Sequence, residues 1–308
     1  MTNKAQLLKK FPEITNIYKH PMMDSTRWDR FVPRKDDIVI ATSYKSGTTW
    51  VQSIVINLIL PNEEDINIKD ISPWLDMRIL PLEETLSKLE KQKHRRVIKT
   101  HLPLNGLRFF KNVKYIIVGR DIRDVHISLW NFYRKFSESF LKLINADIDI
   151  LFPPCPERFD EYWYNCMTKG WFDWETQGYP AWSSINFMQE WWNFNYLPNV
   201  IFVHYNNLLS NPAHQIEKIA QFLEIDVNQL EIDNIVKKTS FDYMKKNASR
   251  YALDSQFLSG RATSFFHKGR SEQWKKILSS EQLDLYDMAA KQGLSEDCRF
   301  WLETGRTV

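Results

Sequence analysis

The sequence has little cysteine, no long apolar run and almost no excess charge. Its three cysteines, Cys155, Cys166 and Cys298, have the spacing of neither an even disulfide framework nor a metal site, which favours a reducing compartment. The longest apolar run, near residues 54–60, is far too short to span a bilayer, and the lysine-containing start has no apolar signal segment. We therefore expect a cytoplasmic protein that does not insert into membranes.

The charge balance also restricts the partners. A formal net charge of +3 at pH 7 is too small for nucleic acid or an anionic membrane to be the main partner, although it allows one local anion site. The 308 residues show no internal repeat, and 43% are hydrophobic and 14% aromatic, as in a globular protein. A chain of this length can bury one sizeable core, so we expect a single domain over residues 1–308.

Short β-branched runs alternate along the chain with segments of helical periodicity. Strands are predicted in DIVIATS, RRVIKTHLP, VKYIIVGRD and NVIFVHY. Helices are predicted from Thr48, after a cap at Asp121 or Asp124, and around FMQEWWNF. The alternation favours an α/β fold: a central, mainly parallel sheet flanked by helices on both faces, with a P-loop-like phosphate-binding loop after the first strand.

Polar residues follow each predicted strand at its carboxyl end. Lys45 follows the first strand and His101 the second, while Arg120 follows the third and Tyr205 the fourth. Ligands of parallel sheets bind beyond the carboxyl ends of the strands. We therefore expect these four side chains to share one crevice.

The segment at about residues 137–182 fits neither the helical nor the strand period. It is rich in proline, tryptophan and tyrosine, as in LFPPCPERFDEYWYNC. Because so many aromatic side chains need a surface to pack against, we interpret it as an ordered insertion or lid.

The loop SYKSGTTW, residues 43–50, is suited to one phosphate group. Gly47 allows backbone N–H groups to face an anion, and Lys45 adds a positive charge. Thr48 and Thr49 add hydroxyl donors at the positive end of the helix dipole. In nucleoside triphosphatases lysine and Ser/Thr follow the last glycine, so the opposite order here disfavours a triphosphate with Mg²⁺. Taken alone, the stretch is equally compatible with a strand-to-helix turn that binds nothing.

Seven motifs together resemble the soluble, cytosolic-type sulfotransferases. In chain order they are SYKSGTTW, IKTHLP, YIIVGRDIRDVHISLWNF, FMQEWW, FVHYNNLLSNP, KKTSFDYMKKN and FFHKGRSEQWKKIL. The similarity extends from the region of Arg34 to about Leu285. Members of that family transfer a sulfuryl group from 3′-phosphoadenosine 5′-phosphosulfate (PAPS) to an alcohol, phenol or amine, and release adenosine 3′,5′-bisphosphate (PAP). The resemblance thus implies PAPS as the donor and no required metal.

The resemblance also implies a role for each matching position. The catalytic group is Lys45, Lys99 and His101. The donor site consists of Lys45, Ser46, Gly47, Thr48 and Thr49 at the 5′-phosphosulfate, Arg120 and Ser128 at the 3′-phosphate, Trp50, Tyr205, Thr239 and Phe241 around the adenine, and His267, Lys268, Gly269 and Arg270 in the C-terminal loop. The acceptor pocket is lined by Trp74 and Phe132 beside His101. The chemistry is compatible, since a phosphate suits an arginine fork and an adenine suits aromatic faces.

The implied reaction is an in-line displacement without a metal. His101 acts as general base, Lys45 stabilises the bridging oxygen and Lys99 stabilises the equatorial sulfuryl oxygens. The expected acceptor is a small molecule, apolar or aromatic, with a hydroxyl or amine group. A glycan or glycolipid acceptor is the alternative, followed by a P-loop nucleotide kinase and by a non-catalytic nucleotide-binding protein.

The central residues also have purely structural alternatives. His101 could be a loop histidine with satisfied hydrogen bonds, and Arg120 could pair with Asp121 or Asp124. The position of His101 two residues after Lys99, and the motif around Arg120, favour the functional interpretation.

The chain departs from the family pattern at three places. Tyr44 stands where the family usually has proline. In the C-terminal loop His267 replaces arginine, while Glu272 and Gln273 replace Gly-Asp. This change predicts a weaker or pH-sensitive 3′-phosphate clamp unless Arg270 supplies the missing charge. The family's dimer motif is reduced to Lys275, Ser279, Ser280 and Asp284, which is compatible with no more than a weak homodimer.

Overall fold

A computed structural model of the chain describes residues 11–64, 66–251, 257–259, 262–266 and 269–307. The strands are β1 (Lys19–His20), β2 (Met23–Asp24), β3 (Ile38–Thr42), β4 (Val97–Thr100), β5 (Lys114–Gly119) and β6 (Val200–His204). The helices are α1 (Thr48–Ile59), α2 (Ile68–Ile71), α3 (Leu82–Lys91), α4 (Ile122–Tyr133), α5 (Glu138–Ile144), α6 (Phe159–Thr168), α7 (Ser184–Trp192), α8 (Tyr205–Ser210), α9 (Pro212–Leu223), α10 (Gln229–Lys238), α11 (Phe241–Lys246), α12 (Ser280–Gly293) and α13 (Glu296–Thr304).

A four-stranded parallel sheet in the order β4-β3-β5-β6 forms the centre of the fold. Ile40 of β3 lies opposite Lys99 of β4 on one side and Ile116 of β5 on the other. All four predicted strands and the predicted helices after Thr48 and Asp121 are present. The structure confirms the predicted α/β class.

The strands are apolar on both faces because helices cover both faces. Val39 and Ala41 of β3 pack in one hydrophobic core, which also contains Trp182, while Ile38 and Ile40 pack in a second core with the helices α1 and α9. Successive residues of a strand point to opposite sides, so a run without polar residues can fill two cores. This explains why the strands read as continuous apolar runs.

The sheet order brings four strand ends to one edge. Parallel strands all present their carboxyl ends at the same edge, so Lys45, His101, Arg120 and Tyr205 emerge there together. Of the two candidate caps for α4, Asp121 is the one used, since its side chain accepts a hydrogen bond from the Arg123 N–H. The loop after β3, the residues after β4 and β5, and the start of α8 are thus all placed at this edge.

The aromatic segment at about residues 137–182 contains α5 and α6. Phe140, Tyr162, Trp163 and Trp182 are buried in the same core as the β3 residues Val39 and Ala41. The segment therefore packs as ordered structure on the sheet, and its role as a lid stays a prediction. Over the described residues, no helix combines the length and the apolarity needed to cross a bilayer.

Candidate active site

The loop between β3 and α1 presents an open helix N-terminus. Lys45 and Gly47 both have left-handed backbone angles, with φ of 56° and 107°. A Cβ on Gly47 would lie 2.9 Å from the Tyr205 ring, so both the angle and the space require glycine. α1 has no side-chain cap and no acidic residue in its first turn. Its first N–H groups and its positive dipole end can therefore receive an anion.

Short hydrogen bonds between hydroxyl groups hold this loop in shape. The Thr48 hydroxyl lies 2.6 Å from that of Thr42, and the Ser46 hydroxyl lies 2.7 Å from that of Ser43. Ser46 is completely buried, so it supports the loop and does not face the cavity described below. The Ser46 side chain therefore stabilises the loop, and a contact of Ser46 with the donor stays a prediction.

His101, directly after β4, is fixed by the end of β3. Its Nδ1 lies 2.7 Å from the Thr42 carbonyl oxygen, so Nδ1–H donates to that oxygen and Nε2 keeps a free lone pair. Burial, with the charge of Lys99 beside it, holds the pKa of His101 well below its usual value. From the aromatic segment, the Trp182 indole donates to the His101 carbonyl oxygen at 2.8 Å. The result is a neutral, oriented imidazole suited to accept a proton.

Two lysines lie against aromatic rings close to His101. The Lys45 ammonium is 4.3 Å from the ring centre of Phe132 and 4.8 Å from that of Phe265. Burial, with the charges of nearby cations, lowers the pKa of Lys45 to about 7. The Lys99 ammonium is 4.5 Å from the ring centre of Trp74, and burial lowers its pKa to about 8. The charged form of both lysines is therefore destabilised in the free protein, and a bound anion would stabilise it.

Arg120, directly after β5, is buried and has no acidic partner among the residues that the structure describes. Its NH1 donates to the Lys45 carbonyl at 3.0 Å and its NH2 to the Arg270 carbonyl at 2.9 Å, while its guanidinium lies 4.2 Å from the ring centre of Tyr205. Its buried Nε has no hydrogen-bond partner. Asp121 instead pairs with Arg123. Arg120 therefore holds the loop after β3 and keeps one donor for a ligand.

One cavity of about 630 Å³ joins most of the predicted site. Its lining includes Lys45, Gly47, Thr48, Thr49, Trp50, Trp74, Lys99, His101, Arg120, Ser128, Phe132, Tyr205, Thr239, Phe241 and Gly269. Gly269 is close-packed, since a Cβ there would lie 2.5 Å from the Phe241 ring. Arg270 is exposed and contributes only its carbonyl to Arg120. His267 and Lys268 lie outside the described residues.

The cavity ends in an aromatic pocket that the sequence did not reveal. We call the pocket formed by Leu129, Phe132, Phe136, Phe140, Phe152 and Ala181 the apolar chamber. Phe136 contacts Phe132, Phe140 and Phe152 with ring centres 5.4, 4.8 and 6.2 Å apart. Trp74 and Phe132 were expected there, and the aromatic richness of residues 137–182 was the signal for the other rings.

Tyr44 is a second residue whose position sequence reasoning missed. Its ring centre lies 4.9 Å from that of His101 and 3.9 Å from that of Trp182. Its departure from the usual proline was visible in the sequence, but its packing on His101 was not. Among the described residues, no group of three or more His, Cys, Asp or Glu side chains is arranged to hold a metal ion.

The C-terminal loop uses a carboxylate to hold a left-handed turn. Glu272 has φ of 61°, and its N–H donates to Asp124 Oδ2 at 2.6 Å. The Trp274 N–H donates to Asp124 Oδ1 at 3.2 Å, and the Arg123 guanidinium lies 3.8 Å from the centre of the Trp274 ring. The turn thus has a backbone angle that favours glycine, the residue that the resemblance implies at this position, although a side chain is present.

Comparison with known proteins agrees with this geometry. A family model described as the sulfotransferase domain matches residues 35–297. Sulfotransferase 1B1 of the dog, Canis lupus familiaris, is 31% identical over 96% of this chain and 97% of its own length. A glycolipid sulfotransferase of Mycobacterium bovis is 28% identical over 94% of each chain. The crystal structure of mouse sulfotransferase SULT7A1 complexed with PAP has a TM-score of 0.65 and 22% identity, over 90% of this chain and 91% of that one.

The left-handed turn at Glu272 provides a test of local strain. We expect Glu272→Gly to raise the free energy of unfolding by about 0.5–1 kcal/mol, because a side chain at positive φ is strained and the exposed ion pair to Lys275 contributes little. Urea denaturation measures this change. Glu272→Ala is the control, since it removes the carboxylate but keeps the Cβ. Equal effects of the two substitutions would contradict the strain explanation.

Proposed function

This chain belongs to the sulfotransferase domain family, and we propose that it transfers a sulfuryl group from PAPS to the hydroxyl group of a small, apolar acceptor. One observation carries the proposal. A single cavity contains an open helix N-terminus with cations, a neutral imidazole, and an apolar chamber. Such a cavity can hold an anionic donor and an apolar acceptor on either side of a base.

The donor half suits a nucleotide with separate phosphate groups. The N-terminus of α1 and Lys45 offer donors and charge for the 5′-phosphosulfate. Arg120, with its unpartnered Nε, offers a donor for the 3′-phosphate. The rings of Trp50 and Tyr205 meet edge to face, 5.6 Å apart, on the wall of the cavity and can contact an adenine. These residues therefore fit PAPS and its product PAP.

The side chains around His101 supply what sulfuryl transfer requires. His101 Nε2 takes the proton of the acceptor hydroxyl while a new O–S bond forms to that oxygen. The bond between sulfur and the 5′-phosphate oxygen breaks, and its electron pair leaves with PAP. Lys45 and Lys99 balance the charge that develops on the phosphate and the sulfuryl oxygens. Both ammonium groups line the cavity, where they can face the anionic oxygens of the donor.

Two tyrosine hydroxyls of the acceptor half are engaged in hydrogen bonds within the protein, whereas the buried Tyr44 hydroxyl on the cavity wall has no hydrogen-bond partner among the described residues. Tyr133 donates from its hydroxyl to the Pro153 carbonyl at 2.5 Å, and the Tyr162 hydroxyl lies 3.2 Å from His126 Nδ1. An ionised acceptor group would lose its hydration in the apolar chamber without compensation. We therefore propose an uncharged, apolar or aromatic alcohol as the substrate class. The glycolipid sulfotransferase relative supports a second candidate, in which a lipid part occupies the chamber.

Sulfuryl transfer from labelled PAPS tests the proposed reaction. We expect PAPS-dependent transfer by the wild type, and a loss of about 10²- to 10⁴-fold in kcat for His101→Ala, because the general base is removed. Binding of PAP, measured by calorimetry, is expected to survive. His214→Ala is the control, since that histidine is exposed on α9. Unchanged turnover of His101→Ala would remove His101 from its role, and absence of transfer by the wild type would overturn the function.

A panel of acceptors separates the two substrate classes. We expect phenols and sterols to have kcat/KM at least about tenfold above that of matched compounds carrying a carboxylate, because the apolar chamber cannot solvate the charge. Phe132→Ala is expected to raise KM for the same phenols, since Phe132 lines the chamber. Transfer to hydroxylated glycolipids and to no phenol or sterol would establish the second candidate instead.

The low pKa of Lys45 predicts that PAP binding depends on pH. Lys45 is charged below its pKa of about 7 in the free protein, and a bound phosphate stabilises the charged form. The affinity for PAP is therefore highest below pH 7. It falls as the pH rises to 9, by up to about tenfold per pH unit if one proton is taken up with PAP. Calorimetry across this range measures the slope. Lys45→Met, the control, should reduce the slope to the part contributed by Lys99, whose pKa is about 8, and an equal slope in both proteins would contradict the assignment.

A further inference from the structure

A buried carboxylate, Asp76, lies beside the proposed catalytic residues and has no part in the transfer steps above. Its side chain is completely buried. The Trp74 indole N–H donates to Asp76 Oδ2 at 2.9 Å, and the Trp28 indole N–H approaches Oδ1 at 3.2 Å. A buried carboxylate is costly unless hydrogen bonds and a nearby positive charge compensate it. The groups that face Asp76 therefore indicate what it does.

Trp74 connects Asp76 with both proposed catalytic residues. The Lys99 ammonium lies 4.5 Å from the ring centre of Trp74, and the His101 ring meets that ring at 4.8 Å and 86°, edge to face. An indole has a single N–H, so its bond to Asp76 fixes the rotation of the ring. That rotation places the same ring against both the ammonium and the imidazole.

Backbone hydrogen bonds also hold Trp74 and Lys99 side by side, independently of the Asp76 carboxylate. The Lys99 N–H donates to the Pro73 carbonyl at 3.0 Å, and the Leu75 N–H donates to the Lys99 carbonyl at 3.3 Å. Trp74 and Lys99 thereby form a parallel bridge at the edge of the sheet. Arg27 holds the same segment, since its Nε donates to the Leu75 carbonyl at 2.8 Å. Asp76 therefore acts on a tryptophan and a lysine that are already neighbours.

The charges around Lys99 are mostly positive. Lys45 lines the same cavity, and the charge of Lys99 lowers the pKa of both Lys45 and His101. Burial lowers the pKa of Lys99 to about 8, and the charge of Asp76 acts in the opposite direction. Asp76 thus supplies the compensation that a buried ammonium beside other cations needs.

Asp76 itself faces two further titratable groups, Arg27 and Tyr44. Its charge raises the pKa of Tyr44, which burial already holds well above the usual value, and it acts in the same direction on Arg27. Burial raises the pKa of Asp76, while the hydrogen bonds from the side chains of Trp74, Thr100 and Trp28 lower it. The indole donors therefore help to keep the carboxylate ionised in the core.

We propose that Asp76 is a positioning residue for sulfuryl transfer: it holds the Trp74 indole across Lys99 and His101, and its negative charge stabilises the charged form of Lys99. The inference rests on the proposed function and goes beyond it, because no transfer step involves this carboxylate. Supporting groups of this kind fix a site within the small tolerance that group transfer demands.

The substitution Asp76→Asn tests the charge. We expect kcat to fall by about tenfold or more. We also expect the alkaline limb of the kcat profile to move to lower pH, because Lys99 without its carboxylate loses its proton more easily. The profile is measured from pH 6 to about 10 at saturating PAPS and acceptor, which spans the lysine range. PAP affinity at pH 6.5, where Lys99 is charged in either protein, is expected to stay within about twofold.

The substitution Trp74→Phe separates orientation from charge. Phenylalanine keeps an aromatic face for Lys99 but cannot donate to Asp76. We expect kcat to fall while the alkaline limb stays in place, since the carboxylate remains. Trp130→Phe is the matched control, because the Trp130 indole N–H has no partner and the residue does not line the cavity. It should retain the wild-type kcat.

A second control addresses stability. Asp37 is also buried and is paired with Arg96, at the start of β3, away from the site. Asp37→Asn should lower the unfolding temperature without moving the pH profile of the folded enzyme. An Asp76→Asn profile that coincides with the wild type, or a limb that moves equally in Asp37→Asn, would overturn the inference. Absence of PAPS-dependent transfer by the wild type would instead overturn the proposed function, so the two failures are distinguishable.

Discussion

The hydrogen bond from His101 Nδ1 to the Thr42 carbonyl oxygen joins the ends of β4 and β3, and the geometry of the whole site depends on it. It sets the tautomer of the imidazole and turns Nε2 towards the cavity. It also requires that the two strands be neighbours with their carboxyl ends together, which the parallel sheet provides. His101 is the first residue after β4, so this hydrogen bond ties it directly to the end of the neighbouring strand. The sheet therefore determines both where the imidazole of His101 lies and which of its nitrogens keeps a free lone pair.

The positive charge of the cavity also results from the meeting of the strand ends at one edge of the sheet. Lys45, Lys99 and Arg120 are brought together at the ends of three strands, in surroundings that solvate them poorly. Aromatic rings and carbonyl oxygens stabilise them only partly. The free protein thus holds positive charge that an anionic ligand would stabilise. Asp76 balances one of these charges from behind, so the cavity surface itself stays positive.

The sequence predicted the sheet and the residues at its edge because those features are local. Strands such as DIVIATS follow from β-branched runs, and a parallel sheet then places Lys45, His101 and Arg120 at one edge by topology. Whether Asp121 or Asp124 capped α4 could not be decided, since both are acidic and precede the same apolar pattern. Asp76 and the packing of Tyr44 on His101 could not be predicted, because they depend on how distant segments lie against the strands, which no local period encodes.

The Trp182 indole, which belongs to the aromatic segment, donates its hydrogen bond to the main chain of His101 itself. The aromatic segment and His101 are thus joined by a direct hydrogen bond, so a change in the position of the one acts on the other. Replacing the aromatic segment by that of another enzyme, in order to change selectivity, would remove the hydrogen bond to the His101 carbonyl unless Trp182 were kept. New acceptor preferences are more accessible through rings on α4 and α5, which border the pocket without touching the histidine's backbone.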